Sequence, residues 1–120
     1  MPKIKIRVSI CNSQNKNEYE TNGIIQDDIL KYKEPNKTTV LYNYKEDILI
    51  RENKELKMNY ILKKKQHDKQ NFLFLKDLQK KLFLNLKVTR IKKQGYNLYA
   101  EFKIEEENFK YKIEVVQWVL

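Results

Sequence analysis

The sequence predicts an all-β fold: a single antiparallel up-and-down meander closed into a barrel of about eight to ten strands. Three observations carry this. Apolar residues recur at every second position through most of the chain, as strands with one buried face require. Short polar segments interrupt that alternation at regular intervals. The last quarter consists of two long alternating runs joined by a few acidic and amide residues, which is a β-hairpin. So many sequentially paired strands would leave two bare edges, and closure into a barrel removes them. At 120 residues, one domain spans residues 1–120.

The elements follow in order. In KIKIRVSI, residues Ile4, Ile6, Val8 and Ile10 point one way while Lys3, Lys5, Arg7 and Ser9 point the other. A polar loop, NSQNKN, precedes the strands EYETNGII and DILKYKE. EPNKT supplies a turn around Pro35 before two short strands, TTVLYNY and DILIRE. KELKMNYIL places Leu56, Met58, Tyr60 and Leu62 on one face. KKKQHDKQN reads as a loop. NFLFLKDLQKKLF has Phe72, Leu75, Leu78, Gln79 and Leu82 at helical spacing, which would allow one or two helical turns, but it is read as a strand near 71–76 followed by a tight turn. Leu82, Leu84, Leu86 and Val88 then line one face of LFLNLKVTRI. In the final hairpin, Leu98, Ala100, Phe102 and Ile104 face Phe109, Tyr111, Ile113, Val115, Gln117 and Val119 across a turn at EEEN. Only Gly23 and Gly95 are available for bends, so the many Asn residues are expected at positions of positive φ.

The formal charge of +9 would attract polyanions. Yet there are 22 Lys against 3 Arg, with 12 Asn and 12 Ile. Lys, Asn and Ile share A/T-rich codons, whereas evolved phosphate recognition favours the planar fork of Arg. The composition therefore points first to nucleotide bias. Cys11 is the single cysteine, so no internal disulfide forms. The N-terminus alternates apolar and basic residues instead of presenting a signal-like apolar core, and no stretch has the length of a membrane span. A cytoplasmic protein is expected, as a monomer or homodimer.

Catalytic chemistry finds little support. Cys11 and His67 form the one Cys–His combination, and His67 lies in a charged loop without an orienting partner. A lone His and a lone Cys do not make a zinc site. Glu105, Glu106 and Glu107 read as a solvated hairpin turn, and no glycine-rich phosphate loop exists. No cofactor is expected. Eight Tyr, five Phe and Trp118 fit a different role. Met58, Tyr60, Leu86, Phe102 and Tyr111 could line the interior, with Gln117 orienting a small apolar or amphipathic ligand. The competing reading is that these side chains fill a small barrel. Trp118, Leu120 and Val116 would then form an outer apolar strip.

The order of strands resembles that of the YwiB-like family of uncharacterised bacterial β-barrel proteins. The resemblance runs through IKIRVSI, YETNGII, DILKYKE and TTVLYNY to DILIRENKELKMNYI. LNLKVTRI and the hairpin NLYAEFKIEEENFKYKIEVV complete it, and residues 64–81 match least. It implies a lipocalin-like, or calycin-like, barrel, and calycins commonly hold small apolar molecules inside. Non-catalytic ligand binding is therefore the leading expectation. The alternative is a lysine face that binds RNA or an acidic protein through Lys57, Lys63, Lys64, Lys65, Lys92 and Lys93.

Overall fold

The computed structural model describes residues 2–64 and 71–119, the last of these by its backbone alone. Its strands are β1 Lys3–Cys11, β2 Lys16–Gln26, β3 Ile29–Lys33, β4 Thr39–Asn43, β5 Ile48–Glu52 and β6 Leu56–Ile61. They continue as β7 Phe72–Leu75, β8 Lys80–Phe83, β9 Leu86–Gln94, β10 Asn97–Ile104 and β11 Glu107–Val119. All belong to one antiparallel sheet in the order β8-β7-β6-β5-β4-β3-β2-β1-β11-β10-β9, curled through 275° into an open half-barrel.

The all-β meander is as the alternation predicts. The closed barrel of about eight to ten strands is corrected to eleven strands in an open sheet. The reason lies in direction. Antiparallel pairing throughout makes the two end strands, β8 and β9, run the same way, with only Leu84 and Asn85 between them. Parallel neighbours need a crossover of a dozen or more residues. The chain therefore passes from one arm of the sheet to the other along one broken strand.

The inner face holds the core. Ile4, Ile6, Val8, Leu30, Val40, Tyr42, Leu49, Ala100 and Ile113 are fully shielded from solvent. Gly23 lies among them because a Cβ there would come within 2.8 Å of Leu30 Cδ1 and 3.3 Å of the Lys31 carbonyl. Two bulges break the alternation. One lies in β9, where Arg90 pairs with Glu101 and Val88 with Phe102, leaving Thr89 as the extra residue. Its hydroxyl donates to the Glu101 carbonyl at 3.0 Å. The other lies in β11, where Val115 pairs with Ile6 and Gln117 with Lys5, so Val116 is extra.

The positions of positive φ depart from expectation. Positive φ falls to Asp27, Asp28, Lys37, Asp47, Gln79 and Glu105 besides Gly95, and to no described Asn. The asparagines act instead through their side-chain carbonyls. Asn12 accepts from the Gln14 and Asn15 amides, Asn43 from Lys45 and Glu46, and Asn53 from Glu55 and Leu56. The 71–83 segment is a hairpin, β7–β8, turning at 76–79, which agrees with the expected strand near 71–76 and tight turn. Leu78, at the turn, is 70% exposed, and Phe83 on β8 is 53% exposed. The face running from Leu82 to Val88 is broken at Leu84–Asn85, with Leu82 exposed and Leu86 and Val88 buried. The acidic turn sits at Glu105 and Glu106, since β11 already begins at Glu107.

Candidate binding site inside the half-barrel

Two charged residues continue the inward-facing rows. β3 points Leu30 and Tyr32 inward, and the next residue in phase is Glu34. β5 points Leu49 inward, and the next in phase is Arg51, which pairs with Val40 and Met58 in register. Their side chains meet inside the sheet. Arg51 Nη2 donates to Glu34 Oε1 at 2.7 Å and to Oε2 at 3.0 Å, with the two side chains only 18% and 5% exposed. Taking both charges out of water is costly, and the close contact recovers part of that cost.

Tyrosines surround the pair. The Tyr19 hydroxyl donates to Glu34 Oε2 at 3.2 Å, the Tyr32 and Tyr111 hydroxyls are hydrogen-bonded to each other, and Tyr60 donates to Met58 Sδ at 3.1 Å. Burial raises the pKa of all four phenols above the ordinary value. For Tyr19 and Tyr32 the nearby Tyr111 and Glu34 add to the rise. For Tyr60 burial outweighs the opposing Arg51 charge, and for Tyr111 it outweighs the Tyr32 hydrogen bond and Arg51. Burial also opposes the Arg51 charge, but the Glu34 hydrogen bonds and charge outweigh it and raise the guanidinium's pKa. Arg51 Nε is buried without a hydrogen-bond partner.

Apolar groups complete the surroundings. Phe102 stacks on Phe109 at 5.6 Å between ring centroids and lies 6.1 Å from the Tyr60 ring. Of the lining predicted from sequence, Met58, Tyr60, Leu86, Phe102 and Tyr111 all join this interior, Met58 partly buried. Gln117 does not. The bulge at Val116 pairs it with Lys5 on the outer face, where it is exposed. The same bulge moves Trp118 to the face of Ile4, correcting the outer apolar strip. Val116 remains exposed, and Leu120 lies outside the described residues.

Trp118 belongs to a second cluster at the opposite end of the strands. Tyr42, Tyr44, Tyr96 and Trp118 form a run of ring contacts at 4.6, 4.9 and 5.6 Å. The Tyr44 hydroxyl donates to the Tyr96 carbonyl at 2.6 Å, tying the β4–β5 turn to the β9–β10 turn. Lys93 Nζ donates to Asp47 Oδ1 at 2.6 Å and to the Tyr44 carbonyl at 3.0 Å. These contacts span the half-barrel and staple its two arms at that end.

The lysines expected to act together are dispersed. Lys57 stands on β6 opposite Glu52, and Lys63 and Lys64 follow that strand. Lys92 and Lys93 lie on β9, eight strands away in the sheet order, and on opposite faces, with Lys93 engaged by Asp47. Lys65 and His67 lie outside the described residues. Cys11, half-buried, ends β1 opposite Lys16 and Lys110. Glu105 Oε1 accepts from the Asn85 amide and Glu106 faces Lys103. Among the described residues no three His, Cys, Asp or Glu side chains gather as a metal site would need.

Sequence reasoning missed Glu34, Arg51, Tyr19 and Tyr32. A signal for the first two was present: each is a charged residue in phase with an apolar row. Comparison of the chain with protein-family models, curated proteins and solved structures gives no match. The family resemblance therefore rests on strand order alone.

Proposed function

We propose that the protein is a non-catalytic binder that takes a small amphipathic molecule into the half-barrel. The observation that carries this reading is the polar cluster of Glu34, Arg51 and four tyrosines inside an otherwise apolar interior. A buried ion pair contributes little net stability compared with apolar packing, so its retention favours a role in recognition. Phenols with raised pKa values are neutral near pH 7. They donate and accept hydrogen bonds but are poorly matched to proton transfer there. The calycin-like order of the strands supports the same reading by analogy of fold.

The charge balance selects the ligand's head group. Glu34 already neutralises Arg51 and would repel a second carboxylate. An uncharged head that both donates and accepts, such as an alcohol or amide, suits the hydroxyls and the Arg51 Nε–H. The tail would have to part the packed side chains of Met58, Leu86 and Phe102, the last two each only 2% exposed. Native mass spectrometry of gently purified protein, followed by titration with a long-chain alcohol and the fatty acid of equal length, tests this. The expected result is a co-purifying small mass, or saturable alcohol binding at least ten-fold tighter than the acid and weakened in Arg51→Met. A bare chain mass together with no saturable binding of either compound would sink the reading.

A further inference from the structure

The outer face of β9, β10 and β11 carries rows of side chains fixed by strand register. One row runs Lys92, Tyr99, Lys112 and the next runs Arg90, Glu101, Lys110. Lys87 and Lys103 pair in a third. Six cations thus share this face with the two carboxylates Glu101 and Glu114. Lys112 meets Glu114 at 3.1 Å and Lys103 meets Glu106 at 3.6 Å. Among the described residues, Lys87, Arg90, Lys92 and Lys110 have no carboxylate within ion-pair distance, although Glu101 separates two of them in register.

The arginines sharpen the point. Arg7 is paired with Glu20 and Glu114, and Arg51 with Glu34. Arg90, exposed on this face, is the arginine left without a carboxylate. The scarcity of Arg argues that the overall charge is compositional, yet one of the three stands in this unneutralised set. Tyr99 lies half-buried between Lys92 and Lys112, and a groove of about 710 Å³ runs past all three residues. Neighbouring strands lie about 5 Å apart and same-face residues about 7 Å apart along a strand. Several cations therefore fall within reach of one extended polyanion.

We infer that this face binds single-stranded nucleic acid, with a base stacked on Tyr99 and phosphates held by Arg90, Lys92 and Lys110. A flat aromatic ring, Tyr99, between two lysines suits a base on a phosphate chain better than acidic peptide, which offers charge without a π-face. The inference is independent of ligand binding inside the half-barrel, because these side chains point to the other surface.

Fluorescence anisotropy with a labelled short oligouridylate tests it, using the full chain across a series of salt concentrations. Binding should weaken with salt at a log–log slope of about 2 for three phosphate contacts, and Lys92→Gln or Lys110→Gln should each lower that slope by about 0.7. Tyr99→Ala should weaken binding roughly ten-fold or more with the slope unchanged, while Tyr99→Phe retains affinity. Lys31→Gln with Lys33→Gln, on the outer face of β3, should leave binding as it is. Circular dichroism of each variant separates loss of contact from loss of fold. No binding, equal affinity for polyglutamate, or equal affinity of Tyr99→Ala with unchanged fold would each overturn the inference. The polyglutamate result would leave bulk charge or an acidic protein as the explanation.

Discussion

Glu34 and Arg51 meet because each extends an inward-facing row past its last apolar residue, to the end of the half-barrel where Tyr19, Tyr32, Tyr60 and Tyr111 gather. The contact is close, but two desolvated charges seldom outdo apolar side chains of the same volume. Removing one partner is the harsher change, since it strands the other charge in the interior. Arg51→Met is therefore expected to cost about 3–5 kcal/mol in urea unfolding, leaving Glu34 unpaired. The double variant Glu34→Leu with Arg51→Met should recover most of that loss and match or exceed the parent chain. A double variant no more stable than Arg51→Met alone would show that the pair itself stabilises the fold relative to apolar packing. Such a result would remove the case for a recognition role.

At the level of the strand, alternation made most of this architecture legible. β1, β3, β4, β6 and β10 carry their apolar residues on the face that the period of two assigns. The period fails where a strand takes an extra residue. In β11 the run FKYKIEVVQWV keeps its phase to Val115, and Val116 then shifts every residue after it. Nothing in the local spelling marks that position, because a bulge is set by the partner strand and the curvature of the sheet. Gln117 was misassigned for this reason, and Trp118 with it. The turn chemistry was missed differently: Asn residues were expected to supply positive φ, and they supply side-chain acceptors to turn amides instead. Within the candidate site, five of the six lining residues could be read from alternation, whereas its charged pair was obscured by its polarity. Deleting Val116 tests the bulge directly. The deletion should remove the bulge while leaving Gln117 opposite Lys5 on the outer face and Trp118 opposite Ile4, with its 5.6 Å contact to Tyr96 kept. Trp118, 48% exposed in the native sheet, should therefore keep its emission maximum and its near-ultraviolet dichroism. A tryptophan spectrum shifted to the red in a folded deletion variant would show that Trp118 had changed faces and that Val116 is not the residue the bulge absorbs.

For the molecule as a whole, the curled sheet gathers polar groups at two ends of one apolar interior and leaves β8 and β9 as its edges. The arms are tied through the Tyr44–Tyr96 and Lys93–Asp47 contacts as well as through strand pairing. Tyrosine hydroxyls take part at both ends, and this couples stability to alkaline pH. Burial is the main cause of the raised pKa of Tyr19, Tyr32, Tyr42, Tyr44, Tyr60 and Tyr111. In the unfolded chain a tyrosine titrates near 10. A group raised in the folded state contributes stability that is fully present below about pH 10 and is lost as pH climbs toward the folded value. Each fully shifted buried phenol removes about 1.4 kcal/mol per pH unit in that window. Tyr32, Tyr60 and Tyr111, buried together in the interior, all act in this direction, so their losses add as pH rises. The protein should therefore hold its stability up to about pH 10 and unfold cooperatively above it. Phenolate absorbance from these tyrosines and loss of β-sheet dichroism should rise together in one transition. If the six phenols ionise while the dichroism stays intact, the interior admits water and hydroxide, and the half-barrel is open at the tyrosine cluster.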